Sequence, residues 1–336
     1  MKIDNLLDQI LQFLADRQAE NGEFRSLESY PAEHPLGDKG WFHTDPSPFI
    51  HANVLCAILK IPHPLAQSIV KKGCDFILEQ QSWPGLWRFW RHGGVTHNVP
   101  IDLDDTALCS FLLAQSGRPV DNKKYLLQNT DSRGYFLTWM LPRFRLLKFP
   151  RLYLFLKKDI QQIQVVLASP MLSQDDFEPA VAANVLLYLG ETPKTRPCIQ
   201  QVLHQLEAPE QMPMQYYADP LVVFYHVARA YRHGIKGFEP ARDIYLQLMQ
   251  KGYFPEPENI FKKAMMLIVH YYFNLDSGQV KNKWIEEIIE AAENATWQSH
   301  IYFVSKDRNF RAGSPELTAA LCAEAIFAYQ LTTERI

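Results

Sequence analysis

Residues 102–109 read DLDDTALC, and their pattern of small and apolar residues recurs in three other segments of the chain. The three segments are PFIHANVL at 48–55, PAVAANVL at 179–186 and PELTAALC at 315–322. Each of the three begins with a proline that follows Ser or Glu. Proline is favoured at the first position of a helix, because the N–H that it lacks would be unpaired there. The four segments therefore predict an internal repeat of helix starts.

Two more helix starts extend this repeat to six. One is Pro220, which follows Asp219, and a weaker one lies near Asn259. The starts at about 48, 102, 179, 220, 260 and 315 are mostly separated by roughly 40 to 55 residues, enough for one helix in each direction. The longer interval between 102 and 179 contains an insertion. Alternating strand patterns are missing, so the sequence predicts an all-α fold.

The residues before these starts are candidate helix caps. Ser or Asp at this position accepts a hydrogen bond from the first turn, so Ser47, Asp219 and Ser314 are expected to cap their helices. Glu178 is expected to be a poorer cap.

The composition is typical of a folded protein with a large core. Of 336 residues, 47% are hydrophobic, and the formal net charge of -3 gives no support to a nucleic-acid partner. The N-terminal segment is amphipathic and acidic, and no stretch of 18 uncharged apolar residues occurs. The sequence therefore predicts a cytoplasmic protein without a signal peptide or a spanning helix. The cysteines lack metal-ligand spacing and are expected to be reduced core thiols: Cys56, Cys74, Cys109, Cys198 and Cys322.

A second motif combines glutamine, glycine and an aromatic residue. Residues 72–87 read KGCDFILEQQSWPGLW and place Gln81, Gly85 and Trp87 after a predicted helix. The glycine permits a left-handed turn at the helix end, and the aromatic side chain packs back. Two other copies have Phe in place of Trp: Gln18, Gly22 and Phe24, and in a degenerate form Gln128, Gly134 and Phe136.

The Q-x-x-x-G-x-W element at 81–87, followed by DLDDTA at 102–107, resembles the class II terpene cyclases, the group that includes squalene-hopene cyclase. The specific part of the resemblance spans about residues 71–109, and the six-fold helical pattern extends it over the rest of the chain. It implies an α6/α6 toroid whose inner helices start at one end. Cyclases of this group usually carry a second helical domain. Only one toroid fits here, so we expect residues 1–336 to form a single α/α toroid domain.

The three aspartates of DLDDTA have two interpretations. In the simpler one, Asp102 caps the helix and the helix dipole favours acidic residues in the first turn. In the chemical one, which the resemblance implies, Asp104 delivers a proton to the substrate, with Asp102 and Asp105 as its hydrogen-bonding neighbours. Such an acid must stay neutral near pH 7, about three units above the ordinary aspartate pKa of about 3.9. Neighbouring carboxylates and burial raise the pKa, whereas the helix N-terminus lowers it.

A protonated substrate would be a carbocation, which the faces of aromatic rings stabilise. Plain core packing is the alternative for each candidate ring. His97, five residues before the motif, is the candidate proton partner, and a structural histidine is the alternative there. The candidate rings are Trp87, Trp90, Trp139, Tyr216, Tyr217, Tyr302 and Phe303.

The sequence predicts no metal site and no cofactor, with Mg²⁺ expected only if the substrate is a diphosphate. No Cys and His pair has the spacing of a zinc site. The nearest acidic run, at 175–179, places proline where the last metal ligand belongs, and we interpret it as a loop and a helix cap.

Residues 136–158 form an insertion with six basic residues and no acidic one. The simplest interpretation is a solvated basic helix outside the ring. Two functional interpretations compete with it. Arg143 and Arg145, with Lys148 and Arg151, would hold a prenyl diphosphate, or the basic aromatic face would lie on a membrane from which a lipid substrate is taken.

The sequence thus predicts a terpene-cyclase-like enzyme that protonates an isoprenoid alkene or epoxide to start cationic cyclisation. Two alternatives stay open. One is a non-catalytic α/α toroid that binds a lipid or protein partner. The other is an (α/α)6 glycoside-processing enzyme, which needs two carboxylates on facing helices, and Glu316 is the second candidate at another inner-helix start.

Overall fold

A computed structural model describes residues 3–43, 45–91, 99–162, 176–275 and 278–333, and helices dominate it. Three short strands, β1 (Leu27–Ser29), β2 (Phe303–Val304) and β3 (Arg311–Gly313), form one antiparallel sheet in the order β1-β3-β2. The helices are α1 (Ile3–Arg17), α2 (Pro48–Ile58), α3 (Pro64–Glu79), α4 (Leu103–Gln115), α5 (Lys123–Leu126), α6 (Pro150–Gln162), α7 (Pro179–Leu189), α8 (Arg196–Leu206), α9 (Pro220–Arg232), α10 (Pro240–Gln250), α11 (Ile260–Tyr272), α12 (Gly278–Glu293) and α13 (Pro315–Thr333).

The six predicted helix starts coincide with the first residues of α2, α4, α7, α9, α11 and α13. Each of these helices packs against two others of the set, and the contact between α13 and α2 closes a ring. The helices α1, α3, α8, α10 and α12 pack against the outside of this ring. The predicted toroid of inner and outer helices is therefore confirmed.

Burial separates the inner helices from the outer ones. Every residue of α2 is buried, and so is every residue of α7 from Pro179 to Tyr188. The outer helix α8 instead buries one face, formed by Cys198, Ile199, Val202 and Leu206. A helix that is apolar on all sides must be covered on all sides, whereas an amphipathic helix needs one partner face. This difference in sequence explains which helices form the inner layer.

The inner helices begin at the same end of the ring. The loops before α4 and α7 are joined, since Leu103 N donates to Thr138 O at 2.8 Å and Thr138 N donates to Asp176 O at 3.0 Å. β1 precedes α2 and pairs with β3, which precedes α13. The starts of α9 and α11 meet β1 and β3 around a cavity of about 420 Å³, whose lining includes Ser29, Asp219, Asn259 and Arg311.

The capping predictions succeed at some helix starts and fail at others. Asp219 and Ser314, and also Asn259, each accept a hydrogen bond from a backbone N–H of the following turn at 2.9 to 3.0 Å. The prediction is wrong for Ser47, whose buried hydroxyl makes no capping bond among the described residues. Glu178 makes no capping bond either.

The three glycine-containing turns share one backbone conformation. The φ angle is +93° at Gly22, +92° at Gly85 and +90° at Gly134, so the degenerate third copy has the same turn as the other two. Positive φ favours glycine, because a Cβ atom is strained in this region. The turns at Gly22 and Gly85 follow α1 and α3 and orient the chain toward the next inner helix.

The insertion at 136–158 contributes none of the six inner helices. Residues 136–141 are buried and pass over the start of α4, where Met140 N donates to Ile101 O at 2.9 Å. Residues 142–158 lie outside the ring and include a short turn, Phe144–Leu146, and most of α6. A solvated helix is therefore the wrong interpretation for residues 136–141, because they are buried, form no helix and bond through their backbone to the start of α4.

Two further sequence expectations concern cysteines and membrane spans. The five cysteines are buried and unpaired. In the described ranges, no helix combines the length and the apolar character needed to cross a bilayer.

Candidate active site

The three aspartates lie at the start of α4, at the end of the ring where the inner helices begin. Asp102 Oδ1 accepts hydrogen bonds from the backbone N of Asp104 at 2.5 Å and of Asp105 at 3.3 Å, so Asp102 caps the helix. Asp104 and Asp105 follow in the first turn, with only 4% and 1% of their surfaces exposed. Capping accounts for Asp102 and leaves two buried carboxyl groups without a capping role.

Two side chains from other elements hold the Asp104 carboxyl group. Asn184 Nδ2, on α7, donates to Oδ1 at 2.7 Å, and the Tyr217 hydroxyl donates to Oδ2. Burial raises the pKa of Asp104 to about 6, while these two donors and the charge of Arg229 act in the opposite direction. Donors that stabilise the carboxylate make the protonated group a stronger acid than burial alone would.

The neighbouring carboxyl groups also resist ionisation. Burial, together with the charge of Asp104, raises the pKa of Asp102 well above its ordinary value. Burial and the charges of both neighbours raise the pKa of Asp105, and Arg88 opposes this rise. Among the described residues, Asp105 Oδ2 has no hydrogen-bond partner. The combination of burial and crowding that an acid requires is therefore present at this helix start.

Asp104 is connected to a polar network in the interior of the ring. The fully buried Arg229, on α9, donates through Nη2 to Asn184 Oδ1 at 2.8 Å. Its Nη1 donates to the Tyr225 hydroxyl at 3.3 Å, and that hydroxyl donates to Glu324 Oε2, on α13, at 2.9 Å. Burial raises the pKa of Glu324 to about 7. The network thus links four of the inner helices, α4, α7, α9 and α13.

Arg88 connects the aspartates to α6. Its Nη2 donates to Asp159 Oδ1 at 3.0 Å in an ion pair whose two side chains are buried. Its Nη1 donates to Val99 O at 3.1 Å. The same guanidinium opposes the rise in the pKa of Asp105. The residue that pairs with α6 therefore also acts on the electrostatics of the three aspartates.

Aromatic rings adjoin the Asp104 end of this network through Tyr217. Tyr217, which donates to Asp104, has its ring centroid 5.8 Å from that of Tyr302 and 6.3 Å from that of Phe303. Further rings join this set at centroid distances of 4.6 to 6.3 Å. We call the set the aromatic cluster: Phe49, Phe89, Trp90, Tyr216, Tyr217, Tyr302, Phe303 and Phe310.

Most of the rings proposed from the sequence lie in or beside the aromatic cluster. Trp139 is beside it, because its Nε1 donates to the Tyr216 hydroxyl at 3.0 Å. The Trp87 ring lies elsewhere, since its Nε1 donates to Ile77 O, in α3, at 2.8 Å, although its backbone carbonyl accepts a hydrogen bond from Asp102 N at 3.1 Å. The proposed rings inside the cluster are Trp90, Tyr216, Tyr217, Tyr302 and Phe303.

Two of the other proposed residues, Arg145 and Glu316, form hydrogen bonds away from the aspartates. Arg145 is exposed and donates to Thr130 Oγ1 at 2.6 Å, and Arg143 is half-buried. His97 lies outside the described residues. Glu316 accepts a hydrogen bond from Arg17 Nε, on α1, at 2.9 Å, so it faces an outer helix. The glycoside-processing alternative therefore lacks the second carboxylate that it assigned to Glu316.

Polar residues that reach the site from other inner helices were missed at the level of sequence. Asn184 holds Asp104, and Asn53 Oδ1 accepts a hydrogen bond from the Tyr302 hydroxyl at 3.0 Å. Both asparagines are the sixth residue of their repeat segments, PAVAANVL and PFIHANVL. A polar residue repeated within an apolar segment is the signal that would have identified them.

Two acidic residues before α7 also lie at the site. Asp176 Oδ2 accepts a hydrogen bond from the Tyr216 hydroxyl, and Glu178 Oε2 accepts one from Gln215 N at 2.9 Å. Burial raises the pKa of Glu178 well above its ordinary value. The interpretation of this run as a loop is confirmed for 176–178, but the capping role is wrong, because Glu178 binds the loop before α9.

In the part of the chain that the structure describes, no three His, Cys, Asp or Glu side chains are arranged to hold a metal ion.

Solved structures that share this fold include a type II terpene cyclase. No protein-family model matches the sequence, and no curated protein matches it. The type II terpene cyclase MstE from Scytonema matches with a TM-score of 0.67 at 14% identity, over 98% of both chains. A point variant of this enzyme in complex with geranylgeranyl dihydroxybenzoate, its substrate, gives a TM-score of 0.69 at 13% identity, again over 98% of both chains. A protein from Actinoplanes gives a TM-score of 0.69 at 16% identity, over 98% of this chain and 100% of the other.

These matches show a shared fold. They also show that this chain covers 98% of the length of the solved MstE chain.

Proposed function

We propose that this chain, which has the fold of a type II terpene cyclase, protonates an isoprenoid alkene or epoxide and so starts cationic cyclisation. One observation carries the proposal. Asp104 is a buried carboxyl group with a pKa raised to about 6, held by donors from α7 and from the loop before α9, and adjacent to the aromatic cluster. A helix cap needs none of these contacts.

In the proposed first step on an alkene, the O–H bond of the Asp104 carboxyl group breaks. The π-electron pair of the alkene forms the new C–H bond, and the neighbouring carbon becomes cationic. The Asp104 carboxylate that remains is stabilised by Asn184 and Tyr217, which already donate to its two oxygens. Further double bonds of the substrate then attack in turn. The last cation loses a proton to water, water returns a proton to the Asp104 carboxylate, and the neutral product is an isomer of the substrate.

The aromatic cluster supports the later steps. Ring faces attract a cation through their quadrupole and do not readily form a bond to it. Phe49, Tyr217 and Phe303 have ring centroids within 6.3 Å of one another, next to the proton donor. A cation formed beside Asp104 would therefore be surrounded by rings.

The substrate class follows from the same chemistry. A carboxylic acid that works without a strong Lewis acid needs an electron-rich group, such as a branched isoprenoid alkene or an epoxide. The matched enzyme binds a geranylgeranyl chain attached to an aromatic acid. We therefore propose an isoprenoid-bearing lipid, and we include both free and aromatic-linked chains as test substrates.

Incubation in H₂O and in D₂O tests the proposal. The pure protein is mixed with farnesyl, geranylgeranyl, squalene-type or geranylgeranyl-aromatic substrates, and the extract is analysed by mass spectrometry. Protonation-initiated cyclisation gives a product with the mass of the substrate in H₂O, and the product of the D₂O reaction retains deuterium at the carbon that was protonated first. Release of diphosphate without deuterium incorporation would instead indicate ionisation. Binding of these lipids without any product would favour the non-catalytic toroid.

A further inference from the structure

A group of large apolar side chains is exposed on α6 and on the turn before it. In the described residues, exposure reaches 86% for Phe144, 62% for Leu154 and 45% for Leu147. Trp83, which is 51% exposed, lies beside them, because its ring centroid is 5.6 Å from that of Phe155 in α6. Single exposed apolar residues are common, whereas a group of them marks an interaction surface.

Basic side chains are exposed on the same two segments, α6 and the turn before it. Arg151 and Lys158 are exposed at three and four residues from Leu154, so the three side chains share one face of α6. Arg145 and Lys148, in the preceding turn, are also exposed. We call these four cations, with Trp83, Phe144, Leu147 and Leu154, the basic-apolar patch.

The charge of this segment differs from that of the whole chain. Residues 136–158 contain six basic residues and no acidic one, although the chain carries a formal net charge of -3. The first acidic residue that follows, Asp159, is buried in its ion pair with Arg88. The patch therefore presents positive charge that no carboxylate of its own segment neutralises.

We propose that the basic-apolar patch docks on an anionic lipid bilayer. The cations would bind lipid phosphates and carboxylates, and the apolar side chains would enter the boundary between headgroups and acyl chains. A bilayer suits both features, because a protruding ring such as Phe144 needs an apolar layer rather than a shaped pocket. The charge of the patch is complementary to that of the bilayer surface.

The patch is connected to the candidate active site in two ways. The buried stretch at 136–141 runs over the start of α4 and leads directly into the patch. Asp159, on the inner side of α6, pairs with Arg88, whose charge acts on Asp105. A bilayer docked on α6 would therefore lie near the loop that covers the aspartates.

Vesicle sedimentation tests this inference without any substrate. The full chain is mixed with vesicles of phosphatidylcholine alone, or with about one-third phosphatidylserine. We expect binding to the anionic vesicles only. This binding should weaken as salt rises from about 0.1 M to about 1 M, because the Debye length falls from about 10 Å to about 3 Å.

Two double variants separate the contributions of charge and apolar surface. Lys148→Glu with Arg151→Glu should weaken anionic binding at least about 20-fold, since each cation near such a surface contributes about fivefold to partitioning. Phe144→Ser with Leu154→Ser should weaken binding while its dependence on salt remains.

The matched control is Lys236→Glu with Lys251→Glu, which changes the net charge equally on the α9 and α10 side of the ring. Both lysines are exposed, and Lys236 lies 4.8 Å from the Tyr231 ring much as Lys148 lies 5.6 Å from the Phe149 ring. The control should bind like the parent protein.

Equal weakening in the control, equal binding to neutral vesicles, or no binding at all would each overturn the inference. A concentration-dependent dimer that the Lys148 and Arg151 reversal dissociates, without vesicle binding, would show a self-contact instead.

Discussion

Opposing effects act on the single carboxyl group of Asp104. Burial favours its neutral form, whereas Asn184, Tyr217 and the charge of Arg229 favour its ionised form. The resulting pKa of about 6 is lower than the value near 7 expected from the sequence, so about one-tenth of the group is protonated at pH 7, and the donors are already in place for the carboxylate. A general acid requires both properties at once.

We predict that turnover falls as the pH rises through about 6. In the proposed reaction Asp104 transfers a proton only from its neutral form, and above a pKa of about 6 the neutral fraction falls about tenfold for each pH unit. Product formation under saturating substrate, measured between about pH 5 and pH 8, gives this profile. A rate that stays constant up to pH 8 would require a different acid.

Asp104→Asn should lower turnover by several orders of magnitude without loss of stability at pH 7. The amide oxygen can accept from Asn184 and the amide nitrogen can donate to the Tyr217 hydroxyl, so the shape and the contacts survive while the transferable proton is lost. The pKa of Asp104 is raised from 3.8 in the unfolded chain to about 6 in the folded protein. The protonated carboxyl group therefore contributes fully to the free energy of unfolding below the unfolded pKa, and this contribution is lost as the pH rises through about 6.

The ionised carboxylate therefore costs up to about 3 kcal/mol at pH 7, a cost that the neutral amide of the Asp104→Asn variant does not carry. Urea unfolding at about pH 4 and pH 7 measures this difference. The variant should gain stability relative to the parent at the higher pH. A loss of more than about 1 kcal/mol at pH 7 would indicate that Asp104 is structural.

Residues of local motifs were predictable from the sequence, whereas those that arrive from elsewhere were missed. Asp104 was found because it stands in DLDDTA at a helix start. Asn184 and Tyr217 contact it from positions 80 and 113 residues away, which only the closed ring brings together. No local pattern contains that information.

At the scale of a single helix, the cap of α4 and the proposed acid are different residues, Asp102 and Asp104, so each can be tested without replacing the other. Asp102→Ala should destabilise the protein by about 1 kcal/mol, because the N–H groups of Asp104 and Asp105 lose their acceptor. Asn259→Ala, which removes the cap of α11, should cost a similar amount and leave the pH profile of turnover unchanged. Chemical denaturation of both variants makes the comparison. An unchanged stability for Asp102→Ala would mean that its hydrogen bonds contribute nothing net.

The glycine turns should differ in their tolerance of alanine. Gly22 and Gly134 both have positive φ, which costs about 1 kcal/mol for a residue with a Cβ atom. At Gly22 the Cβ would also lie 2.3 Å from Lys72 O, whereas at Gly134 its nearest contact is 3.7 Å away. We expect Gly22→Ala to lower the unfolding free energy by at least about 3 kcal/mol and Gly134→Ala by about 1 kcal/mol, both measured by urea unfolding. Equal losses would show that the backbone beside Gly22 moves freely.

Helix starts were predictable, because proline and cap residues act within one turn. The sheet was not, since its strands are two or three residues long and carry no alternating pattern. They pair because the loops converge at one end of the ring. The buried stretch at 136–141 was hidden for the same reason: its apolar residues stand next to the basic ones of the patch, and only the fold separates them.

For the whole molecule, Arg229 is a charged group at the centre of a ring of largely apolar helices. Arg229→Met should destabilise the protein by about 3 to 5 kcal/mol, because Asn184 and Tyr225 lose a buried partner. It should also raise the pKa of Asp104, since a cation that lowers it is removed, and shift the fall in turnover to higher pH. Glu324→Gln is the matched change at the other end of the network. It should lower the free energy of unfolding less than Arg229→Met does, because Glu324, with a pKa of about 7, is already partly neutral at pH 7. Unfolding curves and pH profiles of both variants test this difference.

The closure of the ring joins segments that are made far apart in time. Arg17, in α1, pairs with Glu316, in α13, 299 positions later in the chain. At about 5 to 20 residues per second, a ribosome needs about 15 to 60 seconds to synthesise that interval. During this period α2, whose residues are all buried in the folded ring, has emerged without the last inner helix that will cover it. Until the last inner helix has emerged, the apolar side chains of the first inner helices stay uncovered, and such exposed apolar surface favours aggregation during synthesis.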